Sequence, residues 1–137
     1  MAVSKQLGEI ALRVEDLDTM QAFYTDVVGL PLLRRFPTSA FFTVADGFAG
    51  HTQIVALFDR QGSENYTNIS PAATTVDHFA FTIDKEDFAS ERERLLGLGL
   101  QVDESTHAWV QWRSLYITDP EGNRVEFVCY DETVPPE

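Results

Sequence analysis

Cysteine is almost missing from this chain of 137 residues. Cys129 stands alone, so no intrachain disulfide can form, and a reducing compartment suits the sequence. Positive charge is scarce as well: 10 Lys and Arg are set against 22 Asp and Glu, for a formal net charge of -12. Such a chain lacks the basic face that phosphate backbones and anionic lipid surfaces require, which sets aside nucleic acid and membrane as partners. No stretch approaches the ~20 apolar residues of a membrane span. The start, Met1 to Gln6, has no apolar run of the kind a secretory leader carries. The expectation is a soluble cytoplasmic protein.

What is present is ordinary for a globular domain. Hydrophobic residues make up 44% and charged residues 23%, and the length suits one domain with a real core. The most informative feature is a repeat. Glu9-Ile10-Ala11-Leu12-Arg13-Val14 and His78-Phe79-Ala80-Phe81-Thr82-Ile83 follow one pattern, 69 residues apart. Period-two alternation puts Ile10, Leu12 and Val14 on one strand face and Glu9, Ala11 and Arg13 on the other. In the second copy, Phe79, Phe81 and Ile83 oppose His78, Ala80 and Thr82.

Each strand runs into an acidic helix start. Asp16 is a candidate N-cap for a helix over residues 17–28, with Met20, Phe23, Tyr24 and Val27 as its apolar stripe and Gly29 as a left-handed C-cap. Asp84 is the matching cap for a helix over 85–97, with Phe88, Leu95 and Leu96 on the buried side. Strands are predicted over 31–36, 39–45 and 51–59, and again over 100–105, 110–118 and 123–130. The chain therefore reads as two β-α-β-β-β modules, 7–60 and 76–130, joined by a polar linker over 61–75 and followed by a loose tail over 131–137. The glycosylation-like Asn68-Ile69-Ser70 in the linker is discounted, since Pro71 follows it and nothing suggests secretion. Cys129 alternates onto the apolar face and is expected to be inert core. Trp109 and Trp112 are expected to pack, although an aromatic substrate pocket is the other use for them. Pro120-Glu121-Gly122-Asn123 is a hairpin turn, with Gly122 at positive φ.

Paired modules of this order, a potential ligand opening each first strand, and an ending Asp119-Pro120-Glu121-Gly122-Asn123-Arg124-Val125-Glu126 resemble the vicinal oxygen chelate superfamily, over about residues 7–130. That superfamily contains glyoxalases, fosfomycin-resistance enzymes, extradiol dioxygenases and metal-free bleomycin-resistance proteins. The resemblance implies an α+β fold of two tandem βαβββ modules forming a curved mixed sheet with a central cleft. It also implies a small-molecule substrate, a homodimer and a metal held by Glu9, His78 and Glu126. Glu9 stands where His is usual. Glyoxalase-like members have a further carboxylate whose equivalent here is Ala56.

A narrower resemblance is to the extradiol dioxygenase signature. His107, seven residues, Leu115-Tyr116, the Pro120 and Gly122 turn, and Glu126 follow it, and only Ser105 departs. It implies that His107 and Tyr116 are catalytic groups beside the substrate. Another active-site His of those enzymes has no match over Ile54 to Arg60, and His51 is the nearest. One His and two carboxylates form a harder site than the usual two-His, one-carboxylate set for Fe(II). Fe or Mn is favoured, with Zn, Ni or Mg as alternatives. Three functions follow: an extradiol-type dioxygenase acting on a catecholic substrate, a redox-inert lyase, isomerase or transferase, or a metal-free drug-binding protein.

Overall fold

The computed structural model describes residues 2–62 and 74–137. Most of the expected linker, with Asn68, lies outside the described residues. The chain divides into two compact units, Met1–Ser70 and Pro71–Glu137.

In the first unit, strands β1 (Glu9–Val14), β2 (Leu32–Phe36), β3 (Ser39–Asp46) and β4 (Thr52–Asp59) form a sheet of order β1-β4-β3-β2. β1 runs parallel to β4, and the other neighbours are antiparallel. The predicted alternation holds. Leu12 and Val14 are buried together with Val55, Leu57, Ala40 and Phe42, and the opposite face carries Glu9, Ala11 and Arg13. Helix α1 (Leu17–Ala22) covers the buried face, packing on β3 and β4. Its N-terminus is capped as expected, with Asp16 accepting a hydrogen bond from the Thr19 amide at 3.0 Å.

The helix does not continue as α-helix to residue 28. Phe23–Val28 is a π-helical segment, closed by Gly29 at φ 86°. A π-turn is wider than an α-turn, so the inward side drifts along the sequence. Val28 is buried at its end, and Val27, expected there, is only half-buried.

The second unit repeats the plan. Strands β5 (Phe79–Thr82), β6 (Asp103–His107), β7 (Trp112–Thr118) and β8 (Arg124–Tyr130) are ordered β5-β8-β7-β6, with β5 parallel to β8. Val125, Phe127, Cys129, Leu115 and Ile117 fill one face. Helix α2 (Phe88–Gly97) buries Phe88 and Leu95, and the Arg113 guanidinium on β7 lies 4.0 Å from the Phe88 ring centroid. Leu96, expected on the inner side of α2, is exposed. Asp84 precedes a single 3-10 turn and makes no side-chain cap.

The expected loose tail is held at its start. Asp131 N donates to Gln111 O at 2.8 Å, Gln111 Nε2 donates to Val134 O at 2.9 Å, and Val134 is buried. No helix among the described residues is long and apolar enough to cross a membrane.

Candidate functional site

Register decides which side chains of the second unit meet. Ala80 pairs with Glu126, Glu126 with Tyr116, and Tyr116 with Asp103. Alternation adds Arg124 on β8, Ser114 and Trp112 on β7, and Ser105 and His107 on β6 to the same face. This is the face opposite the core of Val125, Phe127, Leu115 and Ile117. His78 stands immediately before β5 and reaches the same face.

Here His78 Nε2 lies 3.2 Å from Glu126 Oε1. Glu126 is almost wholly buried, with a side chain 7% exposed, while that of His78 is 41% exposed. Each is held from behind. The other ring nitrogen of His78, Nδ1, meets Asp77 Oδ2 at 2.6 Å, and Ser114 Oγ donates to Glu126 Oε2. A proton on Nδ1, directed at Asp77, leaves Nε2 as a lone-pair donor facing a carboxylate oxygen. An imidazole nitrogen and a carboxylate oxygen at this spacing could share a cation or, with a proton on Nε2, hydrogen-bond each other directly. Imidazole and carboxylate, each fixed by an outer hydrogen bond, suit a divalent cation.

The second couple lies on the same face. His107 Nε2 is 3.1 Å from Tyr116 Oη. Ser105 Oγ is 3.1 Å from His107 Nε2 and 3.4 Å from Tyr116 Oη. The Tyr116 ring stands edge-on to His78 at a centroid distance of 6.2 Å, so the two couples are contiguous. The Arg124 guanidinium lies over that ring at 4.8 Å and donates to Asp103 at 2.9 Å. This hydrogen bond holds the Asp103 carboxyl below the usual aspartate range.

The second unit thus brings together His78, Glu126, Tyr116 and His107. Glu9, the remaining expected ligand, is the exposed first residue of β1 in the first unit, in register with Ile54. Among the described residues no group of three or more His, Cys, Asp or Glu side chains is gathered to hold a metal ion. His51 is exposed just before β4, and its ring lies against Gly8, next to Glu9 in sequence. Ala56 is fully buried.

Trp109 and Trp112 do not pack inward as expected; they are 73% and 41% exposed. Trp109 sits on the 3-10 turn Ala108–Val110, which Gln111 closes at φ 57°, outside the strand alternation that would bury it. Sequence reasoning missed Asp77 and Ser114 as supports, and noted Ser105 only as a departure from a pattern. Alternation was the available signal for the serines, since Ser105 and Ser114 share the face of Tyr116 and are register partners.

Comparison with known proteins gives a consistent result. Residues 6–127 match the family model described as Glyoxalase/Bleomycin resistance protein/Dioxygenase superfamily. The chain is 27% identical to the glutathione transferase FosA of Serratia marcescens, over 89% of this chain and 79% of that one. It is 26% identical to the catechol-2,3-dioxygenase of Bacillus subtilis over 88% of this chain, but spans only 40% of that enzyme's length. Among solved structures, the lactoylglutathione lyase from Agrobacterium tumefaciens aligns with a TM-score of 0.70 and 32% identity, covering 93% of this chain and 96% of the other.

Proposed function

Since the chain belongs to the Glyoxalase/Bleomycin resistance protein/Dioxygenase superfamily, we propose that it is a divalent-metal-dependent enzyme acting on a small substrate with two neighbouring oxygens, and specifically an extradiol-type dioxygenase of catechols. The observation that carries this reading is the His107–Tyr116 contact at 3.1 Å, on the same sheet face as His78 and Glu126. An oxygen-bound substrate needs both a proton acceptor and a donor beside its oxygens, and these two side chains supply them.

Glu9, His78 and Glu126 are the proposed metal ligands, with Fe or Mn favoured, and a homodimer in the cytoplasm is the expected setting. The ion would chelate both substrate oxygens, favour their deprotonation and, as Fe or Mn, open the way to O₂. The protein residues do the rest. Asp77 keeps the His78 ring oriented, and Ser114 keeps the Glu126 carboxylate aimed. His107 accepts a proton from a substrate hydroxyl. Tyr116 donates a hydrogen bond to the oxygen on which negative charge grows. Arg124, stacked on the Tyr116 ring, holds the phenol in place.

The test begins with elemental analysis of protein prepared anaerobically with Fe and Mn available. About one Fe or Mn per chain is expected, followed by O₂ uptake with members of a catechol panel. Metal-loaded protein that consumes no O₂ with any of them would overturn the dioxygenase reading.

A second reading, a redox-inert lyase, isomerase or transferase, is favoured by Glu9 in place of a His. One imidazole and two carboxylates suit harder ions. The likeness to a glutathione transferase points the same way. It predicts turnover with Zn, Ni, Mn or Mg in the absence of O₂.

A further inference from the structure

The site face of the second unit is laid out in rows that cross its strands. Register pairs Asp103 with Tyr116 and Tyr116 with Glu126, then Ser105 with Ser114 and Ser114 with Val128, then His107 with Trp112 and Trp112 with Tyr130. The middle row has no aromatic or charged side chain, and the last is aromatic throughout. Four residues of strand, about 13 Å, separate the first row from the last. The contact of His107 with Tyr116 at 3.1 Å spans that interval. Trp112 is thus the register neighbour of the group assigned to take the substrate's proton.

This aromatic end is open to solvent. Trp109, on the turn that joins β6 to β7, has its ring centroid 6.5 Å from that of Trp112. Tyr130, beside Trp112 by register, is exposed as well. Single exposed apolar residues need no explanation, but large rings gathered beside a polar site mark a contact surface. The turn that carries them is braced. Gln111 O accepts from Asp131 N, Gln111 Nε2 donates to Val134 O, and Tyr130 Oη donates to Gln111 Oε1 at 3.4 Å. Rings held in place beforehand lose little freedom on meeting a ligand.

Charge narrows the ligand. Residues 107–112 and 130–137 contain no Lys or Arg, which disfavours an anionic group. The carboxylates nearest in sequence are engaged, Asp131 by Thr133 and Arg113, and Glu132 by Lys85. A cation would find its counter-charge taken. A flat neutral ring suits the indole faces and edges without burying a charge.

We propose that Trp109 and Trp112 form an aromatic subsite that takes a flat, uncharged ring carried by the substrate beyond its oxygen-bearing part. This rests on the reading of the site as one for neighbouring oxygens, with His107 facing a substrate hydroxyl. The two residues decide which substrates are preferred and take no part in moving protons.

They are the only tryptophans of the chain, so their indole N–H signals in NMR report on the subsite alone. The full chain, metal-free and Zn-loaded, is titrated under nitrogen with catechol, with 2,3-dihydroxynaphthalene, and with 2-naphthol, which has the second ring without the neighbouring oxygens. Calorimetry gives the Kd values. The dihydroxynaphthalene should move both indole signals and bind about tenfold more tightly than catechol. Trp109→Ala and Trp112→Ala should each narrow that gap to about threefold or less, and Trp112→Phe, which keeps a ring, should restore most of it.

Indole signals unmoved by 2,3-dihydroxynaphthalene overturn the proposal, as does equal affinity of the parent for the two diols. So do indole signals that move only with protein concentration, since the rings then face a second copy of the chain. If Zn loading strengthens the binding of neither diol, the neighbouring-oxygen reading has failed. Movement of both indole signals by 2-naphthol then still supports the subsite, and its absence overturns it.

Discussion

Ala56 and Glu126 occupy the same place in the two repeats. Ala56 lies between Ala11 of β1 and Phe41 of β3, and Glu126 between Ala80 of β5 and Tyr116 of β7. The duplicated sheet thus carries polar chemistry in one copy and an aromatic row in the other, where Phe41 stands edge-on to Phe36 and Phe58. The serine is common to both: Ser39 is paired with Phe58 as Ser114 is with Val128.

Restoring a carboxylate to the first unit should therefore cost stability. Ala56 is fully buried, and Ala56→Glu brings a charge in beside Phe41, with Ser39 as a single diagonal donor. The expected loss is about 2–4 kcal/mol in denaturant unfolding, set by burial of a poorly paired charge. A variant as stable as the parent would mean that the face opens to water there.

Ser114 is the more delicate probe of the second unit. It is buried, and its hydroxyl fixes Glu126 Oε2. Removing such an outer partner typically costs about 10–100-fold in metal affinity. Ser114→Ala should weaken Mn or Fe binding by that factor, read by competition with a chelator, while Ser114→Thr retains more of it. Equal affinity in the Ala variant and the parent would remove the metal role proposed for Glu126.

Much of this was legible in the sequence because the signals were local. Alternation along residues 10–14 named the buried face of β1 and along 79–83 the half-buried face of β5, and Gly29 and Gly122 stand at positive φ where turns demanded it. The pattern from His107 to Glu126 named three side chains, His107, Tyr116 and Glu126, and the repeat named His78; the second unit brings all four together. The rest depends on contacts distant in sequence or on geometry without a residue code. The π-helical segment moved burial from Val27 to Val28, and the turn before β7 left Trp109 in solvent. Ser114 became a support for Glu126 only through the β7–β8 register. Glu9 was named by the repeat, whose other copy supplies the His78–Glu126 pair.

Phe88 tests the anchoring of α2. The ring is almost fully buried at the first residue of the helix, and Arg113 of β7 lies against its face. Truncation removes its buried apolar surface and a cation–π contact together. Phe88→Ala should destabilise by about 3–5 kcal/mol in chemical denaturation. A loss below about 1 kcal/mol would show that α2 contributes little to holding the second unit together.

Asp131 should make the second unit sensitive to acid. Its Oδ1 accepts from Thr133 Oγ1 at 2.7 Å and from the Thr133 amide at 2.9 Å, and its Oδ2 faces Arg113 at 3.4 Å. The Thr133 hydroxyl is the leading cause that lowers its pKa below the ordinary 3.8, followed by the Thr133 amide, with burial opposing and Arg113 assisting. A carboxyl depressed in the folded state stabilises that state above its unfolded pKa. The contribution fades as pH falls through the folded value, because the unfolded chain takes up the proton first. Asp131→Asn cannot ionise, so it should be less stable than the parent at neutral pH, and its stability should fall less steeply from about pH 5 to pH 2. Denaturant unfolding across that range gives both slopes. Parallel curves for the two proteins would mean that Asp131 is no more tightly bound in the folded chain than in the unfolded one, and that the 131–134 segment is held by Gln111 and Val134 instead.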